Sequence, residues 1–488
     1  MKFPLALITG ILFRAAVPAS ALLLYLGRPP SNLPLRTPFG FASTSTGGVG
    51  FNSSTYVVTN ATDLRVALKL PFPKVVYVNG TIYGNQLDDG SFADCQWYID
   101  TSPVPNYNFT LYVLSLNTTY MSLVADAMAA NVTFEGKNAT ELNILLRKQN
   151  GWRAQAQNSQ KKWEGIDMTS NTTLVGWDAD ARLAGVRLGM NLVNNIHVRN
   201  LILEPPQDCF PAPETYPATW NARYDAIAAV TSTNVWIDGN TFQDGLKPVA
   251  PDYFLGGWWV DRYDGLFDAE DGCDNITFSH NIVRNHHKSL LWGGGNKEAD
   301  RDLGKMHFTV FGNRFKLSQS RNPLMRFGTF HIQNNLFDST NNLPSSDRVT
   351  VAFAPIPPID SFQYHFGIYN QSKVLVSQNV FKQDGLYPND DSLIFTFKDL
   401  TRADIPAKLC AENEGNTMST SNIFNGMDID LGGVAKKIFS TSVSQGLGVE
   451  GGLVFDCEGD EFSKLEMPRR FPSTHAVEGY VLREAGSQ

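Results

Sequence analysis

Cysteine is scarce in this chain. The 488 residues hold five, Cys95, Cys209, Cys273, Cys410 and Cys457, widely spaced and without a C-x-x-C pair. That excludes the short zinc and dithiol motifs that need such spacing. An excess of positive charge is also lacking. With a formal net charge of -8, the chain is no general polyanion binder of the nucleic-acid kind, which relies on a basic surface. An acidic ligand would have to meet a local basic cluster or a bridging cation.

What is present begins with Met1-Lys2-Phe3 and an apolar run from Pro4 to Phe13, the pattern of a secretory signal, expected over residues 1–30. A second apolar stretch, Ala15 to Gly27, leaves a signal anchor open. Arg14 between the runs is costly in lipid, and Pro18, Pro29 and Pro30 favour a cleaved leader. Ten N-glycan acceptor sequons, at Asn52, Asn60, Asn79, Asn108, Asn117, Asn131, Asn138, Asn171, Asn275 and Asn370, agree with export. Five cysteines then suit two disulfides and one free thiol in an oxidising compartment. Sequence does not decide the pairing; the expectation is Cys95 with Cys209 and Cys410 with Cys457, leaving Cys273 buried.

From about residue 170 a short theme recurs: an alternating β-branched or aromatic run, then Asn, then an apolar residue. The copies read NIHVRNLIL, NVWIDGNTF, NITFSHNIV, HFTVFGNRF, FHIQNNLF and VLVSQNVF. Their turn asparagines, Asn200, Asn240, Asn281, Asn313, Asn335 and Asn379, are separated by 40, 41, 32, 22 and 44 residues. Such gaps suit one coil of 22 residues lengthened elsewhere by loops. Short strands and turns without a helical period between them point to a coiled parallel sheet rather than a sandwich. Asparagine suits the corners because it tolerates left-handed backbone angles and its amide can bond to its counterpart one coil away.

The expected fold is therefore all-β, a right-handed single-stranded parallel β-helix over residues 40–400 as one domain. GFASTSTGGVG and KVVYVNGTIYG read as its first coil, and NTTLVGWDADARLAG as another. Residues 90–165, polar and Gln-rich, form a long excursion. The tail, 401–488, loses the Asn theme and is expected to pack on the outside of the helix, covering its apolar faces.

Three segments carry candidate chemistry: RYDAIAAVTSTNVWIDGNTF, YDGLFDAEDGCDNITFSHNIVRNHHKSLLWGG and SRNPLMRFGTFHIQNNLF. Over roughly residues 40–385 they resemble the pectate lyase and pectin lyase family. The resemblance implies calcium ligands at Asp225, Asp264 and Asp268, a catalytic-site lysine at Lys288 that also contacts substrate, and an R-x-P-x-x-R signature in which Arg321 is the base and Arg326 binds substrate. Arg223 stands where some relatives carry a further acid. Calcium prefers six to eight hard oxygens. Since Asp264 and Asp268 would lie about 13 Å apart on a straight strand, the chain must bend, and Gly265 offers the bend.

The implied reaction is β-elimination on polygalacturonate by a secreted, monomeric lyase: the C5 proton leaves while the C4 oxygen departs. Calcium drains charge from the substrate carboxylate, and Lys288 and Arg326 stabilise the anionic transition state. A free arginine, with a pKa of roughly 12.5 to 13.8, is an unusual base; neighbouring positive charge is expected to assist Arg321 and to move activity to alkaline pH. His286 is a candidate substrate contact or a packed turn residue, and Trp258, Trp259 and Trp292 could stack on sugars or fill the core. A calcium-free pectin lyase acting on methylated pectin and a silent β-helix that only binds cell-wall carbohydrate are the alternatives.

Overall fold

The structure, a computed structural model, describes residues 36–48, 54–245, 254–255, 258–259, 261–340, 362–384, 390–411, 422–458 and 471–487. The expected leader, the Asn52 sequon and the side chains of Trp258 and Trp259 lie outside the described residues.

The chain winds as a parallel β-helix. Each coil lays one short strand in each of three long sheets, of 11, 10 and 8 strands, and the neighbours within a sheet come from successive coils. Alternation explains the coil, because every second strand residue points inward. One inward column in the first sheet runs Val76, Leu174, Val198, Ile237, Phe278, Val310, Ile332 and Val376, each aligned with the next and fully buried. Aromatic rings stack on the same principle: Trp292 lies 4.5 Å from Phe308, and Phe315 4.8 Å from Phe337. Trp292 is thus core, not a sugar platform.

The corner between the first and second sheets holds the asparagine ladder. Asn240, Asn281, Asn313, Asn335, Asn379 and Asn422 are fully buried, and each amide nitrogen donates to the next amide oxygen at 2.9–3.2 Å. Asn200 does not belong to it. Leu201 occupies the ladder place in that coil, its backbone N–H donating to Asn240 Oδ1 at 3.1 Å. Asn200 instead fills the preceding left-handed position (φ 53), shared by Gly239, His280, Gly312, Asn334 and Gln378. The two properties that favour asparagine at a corner are divided between adjacent residues.

A further expectation is corrected. Residues 40–48 of GFASTSTGGVG are not part of a coil but a strap crossing the outer face of the first sheet, and the segment's last two residues lie outside the described residues. Phe41 and Ala42 backbone N–H groups donate to Thr309 and Thr277, Ser45 meets His197 at 3.0 Å, and Gly48 N–H donates to Thr173. Coiling starts at Thr55–Val58 and Lys74–Val78. The excursion is helical, with Cys95–Asp100, Phe109–Leu116, Thr118–Ala129 and the 26-residue Ala139–Glu164. Asn108, Asn117 and Asn138, read as sequons, cap these helices through their side-chain oxygens.

The sheets continue past residue 400 through Ala407–Ala411, Asn422–Phe424 and Leu453–Val454. Leu431–Ser444 closes that end with Leu431, Ala435 and Phe439, while His475–Glu484 packs Val477 and Val481 against Leu336, Val380 and Ile423 on the outside. Cys95 is bonded to Cys209 and Cys410 to Cys457, and Cys273 is free and buried, as expected. Among the described residues no helix is long and apolar enough to cross a membrane.

Candidate active site

The turn from the second sheet to the third gathers the predicted residues from successive coils. Register explains how. Ile227 pairs with Phe267, Ala269 with Trp292, and Leu291 with Leu324, so the segments leading into these strands stack in order. Asp225 sits on one coil, Asp264 and Asp268 on the next, Lys288 on the third, and Arg321 and Arg326 on the fourth.

Asp225 is buried, and its Oδ1 accepts the Gly265 backbone N–H at 2.9 Å. Asp268 Oδ1 accepts from Leu291 N–H at 3.1 Å. Glycine at 265 is required by this approach. A Cβ there would stand 2.4 Å from Asp268 Oδ1 and 2.9 Å from Asp225 Oδ1, so the two carboxylates converge on one point. Burial, then the charge of Asp264, pushes the Asp225 carboxyl upward. Burial, then the charges of Asp225 and Asp264, pushes Asp268 up, with Arg321 opposing.

Asp264 turns to Lys288, its Oδ1 lying 2.9 Å from the ammonium, and Lys288 also donates to Asn221 Oδ1. Among the described residues no three His, Cys, Asp or Glu side chains stand in position to share a metal ion. The donor set still fits a hard divalent cation. It consists of carboxylate oxygens alone, two of them facing each other across Gly265 and both raised first by burial and then by neighbouring carboxylates, a charge that a cation would offset.

Arg321 occupies a left-handed backbone position (φ 57); its carbonyl accepts from Leu290 N–H at 2.9 Å, and its guanidinium lies within electrostatic reach of the Tyr364 hydroxyl. Arg326 donates to the Gly293 carbonyl at 2.7 Å and lies over the Tyr369 ring, 4.6 Å from its centre. Its Nε is buried without a partner, and burial pushes its pKa down. Sequence reading missed Asn221, Tyr364 and Tyr369, which hold the basic groups.

Three neighbours point away from this cluster. Buried His286 is clamped by Asp244 at 2.6 Å and by the Lys288 carbonyl at 3.1 Å, so it is a packed residue. His287 meets Asp261 at 3.1 Å. Arg223 donates to Gln157 and Asn158 of the helical excursion rather than extending the acidic set.

Comparison with known proteins finds relatives of one kind. A family model described as pectate lyase matches residues 139–395. A pectate lyase of Bacillus subtilis is 29% identical over 71% of this chain and 76% of its own length. Pectate lyase A of Dickeya chrysanthemi is 28% identical over 58% of this chain, which spans 66% of that relative. The solved structure of a thermostable pectate lyase superposes with a TM-score of 0.69 at 25% identity, covering 92% of this chain and 96% of that one.

Proposed function

The chain belongs to the pectate lyase family, a family of polysaccharide lyases, and from that premise we propose that it is a secreted enzyme cleaving de-esterified polygalacturonate by calcium-assisted β-elimination. One observation carries the reading. Asp225, Asp264, Asp268, Lys288, Arg321 and Arg326 occupy one turn of four consecutive coils, acids at one end and arginines at the other.

Asp225, Asp264 and Asp268 would hold the cation. Calcium bound there supplies Lewis-acid charge at the substrate carboxylate. Arg321 accepts the C5 proton, the C4–O bond breaks, the C4=C5 double bond forms, and the departing oxygen takes a proton from water. Tyr364 stands beside the Arg321 side chain. Lys288, steadied by Asn221 and Asp264, presents its ammonium to the charge that develops on the sugar carboxylate. Arg326, fixed against Tyr369 and Gly293, offers its guanidinium to a neighbouring carboxylate. A chain of net charge -8 thereby meets a polyanion through a local basic end and a cation.

The test is release of unsaturated uronide, followed by absorbance, from low- and high-methyl substrate, with and without chelator. Product from the low-methyl polymer that chelator stops, calcium restores and Arg321→Lys abolishes is the expected result. Chelator-resistant activity on highly methylated pectin would instead identify a pectin lyase. No product from either would leave a carbohydrate binder.

A further inference from the structure

The helical excursion carries a cavity that the cleavage chemistry does not use. It measures about 430 Å³ and lies between Cys95–Asp100 and the last turns of Ala139–Glu164. Trp97 and Trp163, both partly exposed, form its aromatic wall, with ring centres 5.4 Å apart and planes tilted by 58°. Arg65 steadies Trp163, donating to its carbonyl at 2.8 Å with the guanidinium 5.4 Å from the ring centre. The polar lining includes Gln155, Asn158, Ser159 and Lys162.

Two features point to a ligand and to its chemistry. Gln155 Oε1 and Trp163 Nε1 are buried without a hydrogen-bond partner. They are one acceptor and one donor, groups that sugar hydroxyls can satisfy, and buried polar atoms are seldom left unsatisfied. The second feature is charge. Exposed Lys162 is at the cavity, and Asn158 in its lining accepts from Arg223 at 3.0 Å, two residues from Asp225. The neighbouring Lys161 lies within electrostatic reach of Arg223 and Arg187. A basic path thus runs from the acidic end of the active site onto the excursion.

We propose that this cavity is a distal subsite for an acidic sugar, binding a uronide unit of a chain whose cleaved bond lies at Arg321. The sugar's C–H face stacks on the indoles, its carboxylate pairs with the Lys162 ammonium, and its hydroxyls meet the unpartnered Gln155 and Trp163 atoms. The inference rests on the galacturonan reading of the site and adds to it a preference for long chains. A neutral sugar would leave Lys162 idle.

Binding and cleavage are measured separately so that the two readings fail separately. In an Arg321→Lys background, calorimetry compares trigalacturonate with long oligogalacturonates. Lys162→Glu is expected to weaken long-chain binding about threefold and Trp97→Ala about tenfold, with the trimer unchanged. Unaltered long-chain affinity, or an equal loss for trimer and long chains, overturns the subsite. Because Trp97 packs near the Cys95–Cys209 bridge, exposed Lys162 decides the matter should Trp97→Ala unfold. Cleavage by the parent chain decides the lyase reading whatever the binding result.

Discussion

Replacing Asn313 by alanine removes four hydrogen bonds from the middle of the ladder. Asn313 Nδ2 donates to the Phe278 carbonyl and to Asn335 Oδ1, both at 2.9 Å, and its Oδ1 accepts from Asn281 N–H at 2.8 Å and Asn281 Nδ2 at 3.1 Å. Some partners keep another bond: Asn335 Oδ1 still receives the Asn313 backbone N–H, and Asn281 Nδ2 still reaches the Ile237 carbonyl. The Asn281 N–H loses its ladder acceptor in a site closed to water. One orphaned buried donor costs about 1–3 kcal/mol and the three weakened bonds about 1 kcal/mol each, so the expected loss is roughly 4–6 kcal/mol. Asn200→Ala, at a left-handed corner outside the ladder, should lose only about 1–2 kcal/mol. Urea unfolding midpoints and unfolding rates of the two variants, taken under identical conditions, make the comparison. Equal losses, or an Asn313→Ala loss below about 1 kcal/mol, would refute the claim that the amide ladder, rather than packing alone, holds the coils in register.

Two further outcomes follow from the charges. Burial alone would raise Asp238, but His280, Arg199 and Arg36 outweigh it and hold the carboxyl down to about 2. A folded pKa below the unfolded one gives stability, roughly 2 kcal/mol, that is present above the ordinary carboxyl range and lost as pH falls through it toward the folded value. Asp238→Asn should therefore unfold more easily at neutral pH and show a flatter acid limb in pH-dependent melting; an unchanged limb would contradict this. The raised Asp225 and Asp268 act with the opposite sign, costing stability as pH climbs above the unfolded carboxyl range. Calcium at a hundredfold excess over Kd should then stabilise the neutral-pH protein by about 2.7 kcal/mol, and Asp268→Asn should abolish that gain; a calcium-independent melting curve would oppose the metal reading.

Much of the coil was legible because strand alternation and the recurrent asparagine are both local signals. The ladder's start was misplaced by one residue at Asn200, since the left-handed position and the ladder position are adjacent and asparagine can fill either. The helices of residues 95–164 were hidden for a different reason. The buried face of Ala139–Glu164 includes Asn143, Gln149, Gln157, Gln160 and Glu164, so hydropathy shows little apolar period. Partners answer much of this polar face: Gln157 donates to Asp208, Gln160 to the Gln207 carbonyl, and the Gln149 oxygen accepts the Asn108 N–H. The caps Asn108, Asn117 and Asn138 were the available signal. At the site, the charged residues stood out in motifs, whereas Tyr364 and Tyr369 come from the following coil and carry no local pattern near Arg321.

The site and the ladder are two consequences of one register. Asn240 opens the coil that carries Asp264 and Asp268, Asn281 the coil of Lys288, and Asn313 the coil of Arg321 and Arg326; Asp225 lies on the preceding coil, where Leu201 stands in the ladder place. From Asp225 to Arg326 the chain runs through long loops, yet successive coils are only about 4.8 Å apart. The loops can therefore vary without disturbing the acids and bases, provided that the corner fixes where each new coil begins. A slip of one residue at Asn281 would reverse the faces of Ile282–Lys288 and exchange Lys288 for its neighbour His287. A buried amide, satisfied only when it meets its counterpart one coil away, penalises that slip in a way that the interchangeable apolar residues of the core do not.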